Sequence, residues 1–418
     1  MSDRRRVVVT GIGAVTPLGA TAPATWEALL AGRSGVGPIT SFDPARLDSR
    51  IAGEVHDFDP SGVMDRKEIK RNDRTTQMAL VAIAEALGDA GLPDRLPEDD
   101  ALVTGIVIGS GLGGSGTLIE QISLNATRGP DRLSPFFIPA AIGNIASGVA
   151  AMRFNCMGPN FAAVSACASG GHAIGEAAEM IIRGDAEMML AGGAEATVYE
   201  ATLGGFAAMR ALSTRNDDPQ AASRPWDRGR DGFVLAEGAA ALVLEEAGRA
   251  QARGARILGE LRGYAASADA SHITLPAPGG AGALRAARRA LVKAGLEASA
   301  IDHVSAHATS TPGGDMEELA AIRTLLGDHG PAVSIGALKS ALGHTLGAAG
   351  AIASVAALLA IRDGRVPPTL NLTDPEPAIG DLDCTPHVAR SRQVDTVLVN
   401  AFGFGGQNAA LVYRRWAA

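Results

Sequence analysis

The feature that most constrains this 418-residue chain is that its second half repeats the order of its first. A helix pattern from about Thr75 carries Ala79, Ile83, Ala86 and Leu87 on one face and ends in Asp89-Ala90-Gly91-Leu92. Another, from about Gly282, ends in Lys293-Ala294-Gly295-Leu296. Strand patterns follow at 102–108 and 301–306, and again at 160–164 and 332–337. A Ser-Ala pair then opens a helix closed by Ile182-Arg183-Gly184 in one half and by Ile361-Arg362-Asp363-Gly364 in the other. Each copy ends on a strand, 188–191 and 396–400. The two copies share pattern more than identity, and together they indicate an internal duplication. Strands alternating with helices predict an α/β fold with largely parallel sheets and helices buried between layers. The stretch 348–361 is apolar all round, as a helix between two sheets must be.

In this duplication the loop carrying Cys167 corresponds to the loop carrying His344, and pseudo-symmetry would bring both to the centre. Val164-Ser165-Ala166-Cys167-Ala168-Ser169-Gly170-Gly171 places a thiol where a strand pattern gives way to a helix pattern. The positive end of a helix dipole is worth at most ~2 kcal/mol. That would bring a free thiol from about 8.5 to near 7. The stretch alone admits two readings, a nucleophile or a small buried apolar residue. His307 follows a strand and precedes small hydroxyl residues, a common place for a reactive group in α/β folds. At a helix start the dipole would keep His344 neutral and able to donate to a developing oxyanion or enolate. One cysteine and two such histidines suit carbon–carbon bond formation through an acyl-thioester. Lys339 lies among apolar neighbours; if buried it needs an acid, Asp315 or Glu318.

Other stretches exclude or leave open. His303 and His307 have zinc-pair spacing only on a helix; in the strand predicted here they stand about 13 Å apart, so no metal site is expected. Gly11-Ile12-Gly13 reads as a turn after a first strand at 6–10, and without a third glycine in place it predicts no nucleotide site. Net charge of −8 argues against nucleic-acid binding. No 18-residue run is strongly apolar, so no membrane span is expected. Three cysteines fit a reducing cytoplasm better than a disulfide framework. Arg66, Lys67, Lys70 and Arg71 form either a solvated helix face or a docking patch for an acidic partner. Residues 115–155 look less regular. The aromatic pair Phe136-Phe137 suits a lid, an acyl pocket, a subunit contact or the core. The stretch 401–408 reads as a hairpin turn or a gate.

Five stretches together resemble the β-ketoacyl-[acyl carrier protein] synthases, most closely those of type II: 164–171, STRND with ASRPWDRGRDGFV (213–217 and 222–234), HATSTPGGD (307–315), KSALGHTLGAAG (339–350) and 400–408. The resemblance implies a thiolase-like fold, a duplicated five-layered α/β/α/β/α unit with two mixed sheets, normally a homodimer. Its halves would be 1–250, with a capping and dimer insertion at about 112–160, and 251–418. It implies decarboxylative Claisen condensation, elongating a fatty acyl group by two carbons without a cofactor, the substrates riding on acyl carrier protein. Cys167 would hold the acyl group, its own N–H and that of Phe404 forming the oxyanion hole. His307 and His344 would serve decarboxylation, with Lys339, Glu318 and Asp315 in the charge network. Thr309 and Thr311 would contact the phosphopantetheine arm. Phe402 and Phe404 lie in the gate, and Leu112, Phe137 and Ile138 in the acyl pocket. The basic run with Arg210 would dock the carrier protein. Ala308 and Gln407 depart from the residues, Gly and Thr, that many members carry. A ketosynthase of a type II polyketide pathway, a chain-length factor and a biosynthetic thiolase are the alternatives; a chain-length factor lacks the cysteine present here, and a thiolase uses a second cysteine.

Overall fold

Each half of the chain builds a five-stranded unit. The computed structural model describes residues 5–417. The first unit holds β1 (Val7–Val15), β2 (Thr104–Gly109), β3 (Asn160–Phe161), β4 (Met188–Glu195) and β5 (Gly238–Glu246). The second holds β6 (Gly259–Ala268), β7 (His303–Ser305), β8 (Ser334–Gly336), β9 (Thr396–Gly403) and β10 (Gln407–Arg414). The strand order is β8-β7-β9-β10-β6-β1-β5-β4-β2-β3, so one unit repeats the other in reverse across the β6–β1 seam. The seam is short, with Val8 opposite Glu260 and Val9 opposite Gly259. Both units are mixed. β1–β5 and β5–β4 are antiparallel while β4–β2 and β2–β3 are parallel, and the second unit copies this.

Five helices complete the layers: α1 (Arg74–Asp89), α2 (Ser169–Arg183), α3 (Ala281–Ala294), α4 (Pro312–Leu326) and α5 (Ala349–Asp363). α1 covers the outer face of the first unit and α3 that of the second, while α2 and α5 lie between. The two-residue side-chain period shows how. In β5, Ala240, Leu242 and Leu244 pack with α2 and α5, while Ala239, Ala241 and Val243 pack with α1. In β10, Ala409, Leu411 and Tyr413 face inward and Ala410 and Val412 face α3. Strands covered on both faces read as continuous apolar runs. Leu346–Asp363 has the length and hydropathy to cross a bilayer, but 83% of it is buried between these layers.

Two expectations need correcting. Gly11 and Gly13 form no turn; they lie inside β1, which runs on to Val15 past a bulge between Val9 and Gly11. Their purpose is close approach. A Cβ on Gly11 would stand 2.1 Å from the Ala86 carbonyl oxygen of α1, and one on Gly13 would stand 2.0 Å from that of Ala82. Gly263 of β6 meets the Ala290 oxygen of α3 in the same way, at 2.2 Å. The region 115–155 is not irregular but largely helical, at Ser115–Arg128, Phe137–Ala141 and Ile145–Phe154. The first of these exposes Leu118 and Ile122, so it lacks the buried stripe by which a helix is read from sequence.

Gly13→Ala should force β1 and α1 apart. It should cost about 1–3 kcal/mol of stability, seen as a lower denaturation midpoint at unchanged m-value.

Candidate active site

After β3 the chain turns sharply at Ala166, which adopts φ 51°, and Cys167 follows two residues before α2. Ser169 fixes the turn: its Oγ accepts from the Ser165 N–H (2.9 Å) and donates to the Ala166 oxygen (2.6 Å). Ser165 Oγ lies 2.6 Å from His172 Nδ1, which gives that histidine a place in the nucleophile loop that no sequence motif signalled. α5 has the same 15-residue length as α2. Counting back from the two helix starts, Leu346 (φ 44°) matches Ala166 and Gly347 matches Cys167. The two starts touch, as the duplication predicted. A Cβ on Gly170 would stand 2.7 Å from the Gly347 oxygen, and one on Gly350 would stand 2.7 Å from the Gly171 nitrogen.

His344 precedes this second turn. Its N–H donates to the Val234 oxygen (2.7 Å), and its own oxygen accepts from Ala236 (3.0 Å), clamping it to the chain just before β5. The His307 and His344 rings meet edge to face, centroids 5.4 Å apart. His307 Nδ1 accepts the Phe402 N–H at 3.3 Å. The neutral ring therefore carries its proton on Nε2, as a donor. Burial, then the charge of Lys339, then His344 hold His307 well below the usual imidazole range; burial and Lys339 do the same to His344. His344 Nδ1 is buried and has no partner among the described residues.

Lys339 is buried, and its Nζ donates to the His307 carbonyl oxygen. Burial lowers it to about 8 against the pull of Glu318, then of Cys167 and Asp315. Neither acid forms a direct ion pair with it among the described residues. Glu318 instead accepts the N–H groups of His307 (2.8 Å) and Ala308 (2.6 Å) and the Asn400 amide (2.9 Å). Asp315 accepts from the Trp226 and Ser310 N–H groups and lies 3.7 Å from Arg230. Glu318 thus holds the His307 strand end, and Asp315 holds the loop beyond it.

One cavity contains Cys167, His307, His344, Thr309, Thr311, Phe402 and Phe404. The Thr309 and Thr311 hydroxyls are 3.0 Å apart. Phe404 sits in the turn of the β9–β10 hairpin next to the Cys167 thiol, whose pKa its N–H acts to lower. Gly403 makes this approach possible: a Cβ there would lie 2.6 Å from the Ser165 oxygen. Leu112, Phe137 and Ile138 do not line this cavity; Leu112 and Ile138 are exposed, at 49% and 62%. Leu112 stands in the loop before the helix Ser115–Arg128, and Phe137 and Ile138 open the short helix Phe137–Ala141. The apolar wall consists instead of Phe206, Phe233 and Leu346, the first two stacked edge to face at 5.2 Å. Phe233 lay within a quoted motif, but nothing in the sequence marked it as lining. Arg66, Lys67, Lys70 and Arg71 occupy an exposed one-turn helix, Arg66–Arg71, with Arg71 over the Phe136 ring at 4.5 Å. Arg210 is exposed in a separate turn next to Ala211 of the cavity wall.

The thiol departs from expectation. Burial pushes Cys167 up to about 12, against Lys339 and the Phe404 N–H, with Glu195 adding to the rise. The resting site holds a thiol between two neutral imidazoles and one lysine. That set suits acyl transfer and enolate stabilisation.

The N-terminal domain model of the β-ketoacyl synthases matches residues 4–250 and the C-terminal one residues 258–373. The chain belongs to the β-ketoacyl synthase family, and its layered duplication is the thiolase-like fold. It is 47% identical to 3-oxoacyl-[acyl-carrier-protein] synthase 2 of Coxiella burnetii and 46% to that of a Synechocystis species, over 99% of both chains in each case. It superposes with a TM-score of 0.91, at 34% identity, on a ketosynthase of a type II polyketide synthase solved in complex with its acyl-carrier protein; 99% of this chain and 100% of that one are covered.

Buried neutral histidines tie stability to pH. His303, bonded to Ser334 Oγ at 2.8 Å, is lowered by burial to about 4. Its contribution is complete above about 6.5, the unfolded value, and is lost as pH falls toward 4. For His303 alone the loss is about 2 kcal/mol by pH 5. His307 and His344 act with the same sign. The buried carboxyls Glu85 and Asp315, raised by burial to about 7, take up protons over the same range and act with the opposite sign. In denaturant titrations His303→Gln should therefore lose less stability than the wild type between pH 7 and 5, by up to about 2 kcal/mol.

Proposed function

We propose that the protein is a 3-oxoacyl-[acyl-carrier-protein] synthase of the type 2 class, which elongates a fatty acyl chain by two carbons. The observation that carries this is the meeting of Cys167, His307, His344 and Phe404 in one cavity. Cys167 Sγ attacks the acyl thioester carbonyl. The Cys167 and Phe404 N–H groups receive the oxyanion, and the pantetheine sulfur leaves with the thiol's proton. Malonyl thioester then enters past Thr309 and Thr311 and loses carbon dioxide. His307 Nε2–H and His344 stabilise the resulting enolate. The enolate carbon attacks the acyl group, the C–S bond to Cys167 breaks, and the released sulfur takes up one proton. Each oxyanion donor is worth roughly 3–4 kcal/mol in its step. The chemistry needs no cofactor, because only protons and thioesters are exchanged. Three buried free cysteines favour a reducing cytoplasm.

The partner in this reading is acyl carrier protein, with Arg66, Lys67, Lys70, Arg71 and Arg210 as its docking face. A local basic patch serves an acidic partner even on a protein of net charge −8. The quaternary reading is a homodimer. The edge strand β3 is exposed, and Ile138 (62%), Met157 (57%) and Val164 (62%) extend an apolar surface beside it. A second copy covering that surface would bring Phe137 and Ile138 into an interface.

A ketosynthase of a polyketide pathway is the second reading, favoured by the structural likeness to such an enzyme. The higher identity to the fatty-acid synthases, 47% against 34%, places it second.

Incubation with acyl-loaded carrier protein should add one acyl mass to the wild type and none to Cys167→Ala; an adduct on the variant would overturn the assignment. Arg71→Glu should raise KM for the carrier protein several-fold with kcat nearly unchanged, since a rim charge acts mainly on encounter.

A further inference from the structure

Glu195, at the end of β4, is fully buried and forms no ion pair among the described residues. Its carboxylate is held by donors alone. Oε1 accepts from Ser110 Oγ (2.9 Å) and the Leu112 N–H (3.1 Å). Oε2 accepts from the Gly111 N–H (2.7 Å) and the Gly347 N–H (3.0 Å). The first three donors belong to the loop after β2, in the first half of the chain; the fourth belongs to the second half. Gly347 is the counterpart of Cys167 and comes three residues after His344. The backbone N–H that in the first half awaits a substrate oxyanion is, in the second half, already taken by a carboxylate.

The fit around this group leaves no slack. A Cβ on Gly347 would stand 2.6 Å from Glu195 Oε2, and one on Gly111 would stand 2.8 Å from it and 3.5 Å from the Ala166 oxygen. The loop held by Oε2 therefore rests on the turn that aims Cys167, and the same oxygen holds the turn that follows His344. A buried charge with no cation is costly, and a well-packed apolar residue often serves stability as well. Its donors make it a geometric tie.

We propose that Glu195 is a positioning residue: by joining the Ser110-Gly111-Leu112 loop to Gly347 it sets the gap between the sulfur of Cys167 and the ring of His344. This rests on the roles given above to those two residues.

The test compares Glu195→Gln, which turns one acceptor into a donor facing donors, with Glu195→Asp, which keeps the charge but is one methylene short. Active sites are counted as the end-point acyl-enzyme formed on Cys167 from acyl-loaded carrier protein, located by peptide mass. Per counted site, condensation should fall about 10–100-fold in both variants, the scale of an ångström-level misplacement. Single-turnover acylation of Cys167, which does not use His344, should change less than about 3-fold on the same scale. Ser110→Ala, which removes one donor and leaves the carboxylate in place, should show a weaker form of the same split and supplies the comparison where a Glu195 variant does not fold. Unchanged condensation per counted site would mean a residue that matters only for folding, and equal losses in both steps would mean no control of the gap; either overturns the proposal. Condensation that survives in Cys167→Ala would instead overturn the catalytic reading, and this inference with it.

Discussion

The contact between the starts of α2 and α5 governs the rest of the molecule. Two helices from opposite halves approach through Gly170, Gly171, Gly347 and Gly350, with no room for a single Cβ on the first or last. That approach places the turn of Cys167 against the segment of His344, which no one half could do. It also points two positive helix ends at one centre. On the α5 side the Gly347 N–H meets the carboxylate of Glu195, a residue of the first half.

Burial sets the protonation states at this centre. The helix dipole is worth at most ~2 kcal/mol. Raising a thiol from near 9 to about 12 represents about 4 kcal/mol in the other direction. Burial wins, and the same term keeps both histidines neutral and brings Lys339 down to about 8. Neutral imidazoles are what enolate stabilisation requires, because His307 then offers one N–H from Nε2 while Nδ1 is occupied by Phe402.

The duplication was legible because element order survives where residue identity does not. The paired strands and the AGL helix ends recur at matching places; the two Ser-Ala pairs do not, since Ser340-Ala341 lies in a short helix and it is Leu346 that matches Ala166. Cys167, His307, His344, Lys339, Phe402 and Phe404 were legible as a group because their motifs lie at strand ends and helix starts, where backbone geometry fixes a side chain. Gly11 and Gly13 misled, since a glycine that admits a helix looks in sequence like one that makes a turn. Leu112, Phe137 and Ile138 were assigned to a pocket whose lining within one chain does not include them. The wall made by Phe206, Phe233 and Leu346 was not legible, since apolar residues carry no mark of which cavity they line. Glu195 was missed because its backbone and hydroxyl partners lie far away in sequence, and His172 because a histidine seven residues from one serine belongs to no motif.

The depth of Cys167 has a chemical corollary outside catalysis. Peroxide and other oxidants attack thiolates, and oxidation of a cysteine tracks its thiolate fraction and its access to solvent. A sulfur only 8% exposed and titrating near 12 carries almost no thiolate at neutral pH. The idle enzyme is thereby sheltered from sulfenic acid formation, and its sulfur stays reduced until a thioester seated in the cavity meets it directly.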